Sequence, residues 1–222
     1  SPLFNRAVQG VYELGSTFKI FAIAQAMELG LVSPETIVDI RGPIRWGKYR
    51  ISDYRNYGEQ LSVSDIIVKS SNIGTARVAT MIGSERQKSF MGSLGFLEPI
   101  PLEMIEAKGG RPLIPTKWSE LSTMTVSYGH GLSATPLHLA TGYAVIANGG
   151  YKITPTLVLD RNAPLKTRVL SPEIANASLK MLRAVVPDGT ASMAEVAGYA
   201  VAGKTGTADK PGKGRYQTDK VI

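Results

Sequence analysis

The sequence predicts an α+β fold, with helices and strands in different parts of the chain. Helix patterns bounded by capping residues and glycine stops dominate residues 16–147, and one more opens at Ser171-Pro172. Strand patterns are confined to residues 151–159 and 199–208, and the polar tail at 209–220 predicts a hairpin turn. With 43% hydrophobic and 19% charged residues, this chain of 222 residues can bury a sizeable core.

The first predicted helix starts near Ser16 and runs through Leu29 to a stop at Gly30. Its side chains are apolar on nearly every face, which is typical of a helix at the centre of a domain. Residues 31–60 contain Ser-Pro and Gly-Pro pairs and several arginines. We interpret them as an irregular, solvated segment in preference to a groove for an anionic polymer.

Capping residues mark the later helices. Ser62 to Asp65 has capping-box character ahead of a short helix, and Ser84 to Gln87 is a second capping box. Glycine stops are predicted at Gly83 and Gly95. The remaining predicted features are a helix at Ile73–Ile82, a long loop or short hairpin at 96–117, a turn at Met124–Gly131, a helix from Thr135-Pro136 to Ala147, and a helix after Ser171 with Ala175, Leu179, Leu182 and Val186 on one face.

Composition narrows the range of functions. The net charge is +7, but no basic block or basic-aromatic repeat accompanies it, so we predict no nucleic-acid partner. The absence of cysteine excludes a disulfide framework and a thiol nucleophile. The chain has two histidines, His130 and His138, which are few ligands for a histidine-rich metal site. We predict neither a metal nor another cofactor. No apolar run reaches the ~20 residues that span a bilayer.

The stretch Glu13-Leu-Gly-Ser-Thr-Phe-Lys19 is the strongest candidate for chemistry. It carries the hydroxyl of Ser16 three positions before the amine of Lys19, on one face of the predicted helix, where the amine can take the hydroxyl proton. Free N–H groups and the positive dipole end at a helix N-terminus favour an oxyanion there. We interpret Ser16 as the nucleophile of an acyltransferase. The alternative is a plain helix cap at Ser16 and a solvated lysine at Lys19.

Two later patterns complete a set, Ser70-x-Asn72 and Lys204-Thr-Gly206. Each alone is weak, because Asn72 could cap a helix and Lys204 could protect a sheet edge. A phosphate loop at 203–206 is not favoured, since no helix follows it. In this order the three patterns are the motif set of penicillin-binding proteins and serine β-lactamases.

The wider sequence resembles the class B penicillin-binding proteins over nearly the whole chain. The residues that carry this resemblance are Gly15-Ser-Thr-Phe-Lys19, Lys69-Ser-Ser-Asn-Ile-Gly74, Tyr128-Gly-His-Gly-Leu-Ser-Ala-Thr-Pro136 and Gly203-Lys-Thr-Gly-Thr-Ala208. Arg215-Tyr-Gln-Thr-Asp-Lys-Val221 resembles the division-specific, FtsI-type branch. The resemblance implies one transpeptidase domain over 1–222, truncated at both ends, with a mainly helical subdomain at roughly 31–135. It also implies an antiparallel sheet flanked by helices, expected to be incomplete in this chain.

The resemblance further implies a serine D,D-transpeptidase that needs no cofactor and is acylated by β-lactams. Ser16 would attack the bond between two D-alanines of a peptidoglycan stem peptide and form an acyl-enzyme. Lys19 would be the general base, and burial together with Lys204 would disfavour its charged form. Ser70 would pass a proton to the leaving D-alanine, and Asn72 would fix Lys19 or the substrate amide.

Substrate binding is assigned by the same resemblance to the third motif. Lys204, Thr205 and Thr207 would bind the terminal carboxylate, and Gly206 would leave room for the substrate backbone along a strand. The backbone N–H groups of Ser16 and Thr207 would form the oxyanion hole.

The resemblance implies septal wall synthesis at the bacterial inner membrane. The catalytic domain would face the periplasm, the anchor would lie outside this chain, and the partners would be divisome membrane proteins. A serine β-lactamase is an alternative, although the Glu-x-x-x-Asn pattern of a deacylating glutamate is absent. A penicillin sensor or an inactive binding scaffold is the other alternative.

Overall fold

The computed structural model describes residues 3–159 and 166–207, and the backbone of 209–211 and 216–221. These residues form seven α-helices: α1 Lys19–Glu28, α2 Val63–Val68, α3 Asn72–Ile82, α4 Ser84–Leu94, α5 Glu120–Ser127, α6 Pro136–Ala147 and α7 Pro172–Ala184. Eight short strands accompany them: β1 Ile37–Asp39, β2 Ile44–Trp46, β3 Tyr49–Ile51, β4 Gln60–Ser62, β5 Tyr151–Lys152, β6 Thr167–Arg168, β7 Asp209–Pro211 and β8 Tyr216–Val221. The strands pair antiparallel as β1–β4, β2–β3, β5–β6 and β7–β8.

Helix α1 lies at the centre of the core, as its sequence predicts. Every residue from Lys19 to Met27 is buried, and the helix packs against α3 and α7. An aromatic cluster surrounds its first turn, with ring centroids of Phe18 and Phe96 4.8 Å apart and those of Phe21 and Tyr143 5.4 Å apart. Such edge and tilted contacts add about 0.5–1.5 kcal/mol per pair beyond burial. The helix end is therefore fixed from several directions.

Residues 31–60 are more ordered than the sequence predicts. Two antiparallel pairs, β1–β4 and β2–β3, occupy this segment. Gly47, at φ +56°, supplies the left-handed backbone of the tight turn between β2 and β3. Each strand has three residues, too few to show alternating hydrophobicity against its flanking polar residues, so local sequence does not reveal them. The prediction of an irregular segment is therefore wrong.

Most predicted helix boundaries are confirmed, but the cap of α4 is not. Ser62 and Thr135 cap α2 and α6 through their side chains, and Gly95 ends α4 in the left-handed conformation. The predicted box at Ser84 does not form: Gly83 precedes the helix and no side chain caps it. The amide of Gln87 instead donates to the carbonyl of Thr123 and accepts from the indole of Trp118, because these buried groups need partners.

Three further predictions are corrected. Met124–Ser127 belongs to α5, so the predicted turn is reduced to Tyr128 and Gly129. His130 follows this turn directly, whereas His138 lies in α6. The strand expected at 151–159 shrinks to Tyr151–Lys152, since only these residues pair with β6. On α7, Leu179 is 38% exposed while Ala175, Leu182 and Val186 are buried, because Met181 and Ser178 complete the packed face.

The strand predicted at 199–208 forms no ladder in the part of it that the structure describes, residues 199–207. Its backbone is tied to α7 by a hydrogen bond from Gly203 N–H to the Leu182 carbonyl, 3.1 Å long. Ala208 and residues 212–215 lie outside the described residues, but the antiparallel backbone pairing of β7 and β8 agrees with the predicted hairpin. No helix of the described residues is long and apolar enough to cross a membrane. The subdivision at 31–135 stays a prediction.

Candidate active site

The predicted nucleophile lies on a single 3₁₀ turn, Gly15–Phe18, that leads into α1. In a 3₁₀ turn, residues three apart eclipse one another, so Ser16 and Lys19 share a face. Gly15, at φ +55°, donates its N–H to the Gly129 carbonyl at 3.2 Å. Behind the turn, the Tyr143 hydroxyl donates to the Thr17 carbonyl at 2.9 Å. The turn is therefore anchored on two sides while Ser16 itself stays half-buried.

Lys19 is fully buried, which rules out a solvated lysine at this position. Its Nζ donates to the Ser70 carbonyl at 2.5 Å and to the Ser70 hydroxyl at 3.0 Å. Among the described residues no hydrogen bond joins Nζ to the Ser16 hydroxyl, so the direct pair predicted from the spacing is replaced by contact with Ser70. Burial, and then the charge of Lys204, hold the Lys19 pKa well below its usual value, and the charge of Asp53 offsets part of this. The amine is therefore suited to act as a base.

Ser70 joins the two amines. Lys204 Nζ donates to the Ser70 hydroxyl at 2.9 Å and to the Thr205 carbonyl at 3.0 Å. Ser70 is the non-glycine residue with a positive φ in the described chain, at +62°. Burial lowers the Lys204 pKa to about 8, so this lysine is charged in most molecules at neutral pH. Its contact with Ser70 excludes the alternative of a lysine that only guards a sheet edge.

Asn72 is the first residue of α3, and its side-chain amide donates to the Ser52 carbonyl at 2.9 Å. Ser71 caps α3 by accepting the Gly74 N–H at 2.9 Å, so Asn72 is not the cap. No hydrogen bond between Asn72 and Lys19 is present among the described residues, and the part of the prediction in which Asn72 fixes Lys19 is not met. Within the described part of the chain, no hydrogen bond to the amide oxygen of Asn72 is present.

The third motif lies against the nucleophile turn. A Cβ on Gly206 would come within 2.8 Å of Thr17 Cγ2 and 3.1 Å of the Leu14 carbonyl, so only glycine allows this approach. The Thr205 hydroxyl forms a hydrogen bond of 2.6 Å with that of Thr190. Thr207 is exposed. These hydroxyls and the Lys204 amine together form a set of donors for an anion.

One cavity of about 480 Å³ brings part of the predicted site together, but Lys19, Lys204 and Gly206 are not among its lining residues. Of the predicted residues, Ser16, Ser70, Asn72, Thr205 and Thr207 line it. The sequence reading missed four other lining residues, Tyr54, Tyr57, Lys69 and Thr190. The two tyrosines lie in the segment 31–60, which the sequence predicted to be irregular and solvated. Their alternation with charged and polar residues is the sequence pattern that could have indicated a role at the cavity.

Comparison with known proteins identifies the family. The family model described as the penicillin-binding protein transpeptidase domain matches residues 1–222. The chain belongs to this family. It is 36% identical to a protein of Caulobacter vibrioides named probable peptidoglycan D,D-transpeptidase FtsI, over 98% of this chain and 38% of the relative. It is 32% identical to peptidoglycan D,D-transpeptidase FtsI of Escherichia coli, over 96% of this chain and 36% of the relative. The chain thus spans less than two fifths of the length of these curated relatives.

Solved structures agree with the assignment. The transpeptidase domain of penicillin-binding protein 3 from Burkholderia pseudomallei superimposes with a TM-score of 0.90 at 34% identity, covering 98% of this chain and 66% of that one. Penicillin-binding protein 3 from Mycobacterium tuberculosis, in complex with aztreonam, gives 0.89 at 31% identity, covering 98% and 53%. The α+β fold predicted from the sequence, of the penicillin-binding transpeptidase type, is confirmed.

Proposed function

We propose that this chain is the catalytic part of a serine D,D-transpeptidase that cross-links peptidoglycan stem peptides and is acylated by β-lactams. The observation that carries the proposal is the convergence of two amines on Ser70, at the rim of the cavity that also contains Ser16. A buried amine with a lowered pKa, a hydroxyl within its reach and a nucleophile on the same cavity are the parts that acyl transfer needs. Relatives named D,D-transpeptidases, and a solved relative in complex with aztreonam, support the choice of substrate and inhibitor.

In acylation, the Ser16 oxygen attacks the carbonyl carbon between the two D-alanines. Neutral Lys19 accepts the Ser16 proton, and the developing oxyanion is stabilised by the N–H groups of Ser16 and Thr207. Ser70 then gives a proton to the leaving D-alanine amine and is reprotonated from Lys19. The products are an ester on Ser16 and free D-alanine.

The terminal carboxylate of the donor peptide binds to the third motif. Charged Lys204 supplies the countercharge, and the hydroxyls of Thr205 and Thr207 donate hydrogen bonds. Gly206 leaves room for the substrate backbone to run beside residues 204–207, and the Asn72 amide is available to the substrate peptide group. Binding both ends of the scissile bond in this way orients it toward Ser16.

Transfer to an amine is favoured over hydrolysis by the lining of the cavity. Rapid deacylation by water requires a base beside the ester, such as a glutamate in class A β-lactamases. The described residues that line this cavity include no aspartate or glutamate. An acceptor stem peptide brings its own amine nucleophile, so the acyl-enzyme persists until that amine arrives.

Intact-mass measurement after incubation with benzylpenicillin tests the proposal. We expect a single adduct that maps to Ser16 and is absent in a folded Ser16→Ala variant. The lifetime of this adduct should be much longer than the time in which a β-lactamase completes a turnover. Rapid loss of the adduct would favour a β-lactamase. Labelling without transfer of a D-Ala-D-Ala stem-peptide mimic to an amine acceptor would favour a sensor. A parent protein that does not react would contradict the proposal.

The proposed cellular setting follows from the relatives named FtsI. It is septal wall synthesis in the bacterial inner membrane, with the catalytic domain on the periplasmic side and divisome membrane proteins as partners. Complementation of a strain depleted of FtsI by the full-length protein tests this setting. We expect rescue by the parent and filamentous, undivided cells with the Ser16→Ala variant.

A further inference from the structure

Asp53 lies in the loop that follows β3 and bonds to the start of α3. Its Oδ1 accepts the backbone N–H of Asn72 at 2.5 Å and that of Ile73 at 3.0 Å. Its Oδ2 accepts the hydroxyl of Ser71 at 2.7 Å. A carboxylate at a helix N-terminus satisfies free N–H groups and interacts favourably with the helix dipole.

These bonds are not needed merely to cap the helix. Ser71 already caps α3 through the Gly74 N–H, as a residue adjacent in sequence normally does. Asp53 acts from 18–20 positions earlier in the chain, and its neighbour Ser52 accepts the Asn72 side-chain amide. Four hydrogen bonds therefore join the loop at 52–53 to the turn at 71–73. What they add is a fixed relation between two segments next to the cavity, which Tyr54 and Tyr57 line on one side and Ser70 and Asn72 on the other.

The turn that they hold is a strained one. Ser70 has φ +62°, a conformation that costs a non-glycine residue energy and persists only where the surroundings fix it. Ser70 also supplies both oxygens that Lys19 contacts. On the other side, Tyr54 and Tyr57 follow Asp53 and line the same cavity as Ser16. A shift of the 52–57 loop relative to Ser70 would therefore displace the tyrosines that line the cavity. It would also displace the Ser70 hydroxyl and change the hydrogen bonds that Lys19 makes with Ser70.

We propose that Asp53 is a positioning residue for acylation, which fixes the Ser70–Asn72 turn and the Tyr54–Tyr57 wall relative to Ser16. The inference rests on the proposed function, and it adds a residue outside the three motifs. The negative charge of Asp53 acts in the opposite direction, since it favours the charged, non-basic form of Lys19. A slower reaction after its removal would therefore report lost geometry and not lost charge.

Stopped-flow acylation by a fluorescent penicillin tests this role with Asp53→Ala and Asp53→Asn. We expect Asp53→Ala to lower the maximal acylation rate by about tenfold to a hundredfold, with a much smaller change in the apparent Kd, because displacing reacting groups by ~1 Å has effects of this size. Asp53→Asn keeps one oxygen for the two N–H groups and should retain a rate between those of the parent and the alanine variant. Amide hydrogen exchange should accelerate at residues 70–74 in Asp53→Ala.

The matched control is Ser119→Ala, which removes the side-chain cap of α5 away from the cavity. It should lower Tm as a lost cap does and leave the acylation rate of the folded protein unchanged. Equal rates in Asp53→Ala and the parent, or equal losses in Asp53→Ala and Ser119→Ala, would overturn the inference. A parent that no penicillin labels would refute the proposed function itself and this inference with it, and that result is visible before any variant is compared.

Discussion

The hydroxyl of Ser70 accepts a hydrogen bond from the amine of Lys204 at 2.9 Å, although 134 positions separate the two residues. The same oxygen accepts from Lys19 at 3.0 Å. A serine hydroxyl has two lone pairs and one hydrogen, so two amine donors occupy its acceptor sites and leave its hydrogen to be donated elsewhere. Ser70 lines the same cavity as Ser16, which agrees with the proposed transfer of a proton from Ser70 to the leaving group.

The dependence of acylation on pH should follow the two lysines. A lowered Lys19 pKa means that the neutral base grows more abundant as pH rises, which increases the rate. Lys204, with a pKa of about 8, loses its charge above that pH, and carboxylate binding weakens. We expect a bell-shaped profile of the second-order acylation rate whose alkaline limb lies near pH 8.

Lys204→Arg is the matched test of this assignment, because arginine stays charged throughout the range. The alkaline limb should disappear in this variant, whatever the height of its profile. A limb that stays near pH 8 in Lys204→Arg would assign the titration to another group.

Substitution of Ser70 should separate backbone strain from chemistry. Glycine adopts a positive φ without a steric penalty, so Ser70→Gly relieves the backbone strain at this position, whereas Ser70→Ala retains the strain. The glycine variant should therefore be more stable than the alanine variant by about 1 kcal/mol in chemical denaturation. Both should lose acylation to the same extent, since both lack the hydroxyl. Substantial activity in Ser70→Gly alone would show that the turn, and not its oxygen, is what the reaction needs.

Gly129 should be intolerant of a side chain. A Cβ there would lie 2.0 Å from the Gly15 carbonyl oxygen, directly behind the nucleophile turn. Gly131 has a similar φ, +78°, but its nearest non-local atom would be 3.4 Å away. Gly131→Ala should therefore lose only the unfolding free energy that a positive φ costs an alanine, ~1 kcal/mol. Gly129→Ala should lose a further ~1–3 kcal/mol by overpacking and also acylate more slowly.

Thermal denaturation and penicillin labelling of the folded fraction measure both effects of the glycine substitutions. Similar stability and similar labelling in the two variants would mean that the Gly15–Gly129 contact does not position Ser16.

Gln87→Leu should weaken the fold without touching the reaction. It removes the partner of the buried Trp118 indole and one of the donors to the Thr123 carbonyl, which keeps its bond within α5. Leaving the buried indole N–H unsatisfied costs about 1–3 kcal/mol of unfolding free energy. Urea denaturation measures this loss, and Gln60→Leu, at an exposed position, is the control that should change little. A lower acylation rate per folded molecule would contradict the purely structural role.

Local sequence signals predicted the parts of the fold that local physics determines. Glycine stops such as Gly30 and Gly95, and caps such as Thr135, satisfy the chain ends of their own helices, so they are readable without a partner. Gln87 and Ser84 show where local prediction fails. They form a capping-box pattern, but the Gln87 side chain instead accepts a hydrogen bond from a buried indole 31 positions away. Contacts of that range leave no trace in the neighbouring residues.

The same limit applies to the candidate site. The motif residues were identified by type and order, and their spacing suggested that Lys19 contacts Ser16. In the structure Lys19 donates hydrogen bonds to Ser70 instead, because the turn between α2 and α3 brings the Ser70 carbonyl and hydroxyl next to the buried amine. Asp53 and the tyrosines after it lie in a segment with no motif. The antiparallel β2–β3 pair ends there, and hydrogen bonds from Asp53 to the start of α3 hold the loop whose Tyr54 and Tyr57 line the cavity.

Helix α1 has no solvent-facing residue between Lys19 and Met27. Any exchange along it therefore disturbs the tightly filled interior, which tolerates little change in volume. The exposed Tyr54 carries no such packing constraint, and substitutions at exposed positions usually shift stability by less than ~0.5 kcal/mol. We expect lineages under antibiotic selection to diversify along this outer rim, while the helix beneath the reactive serine is inherited unchanged.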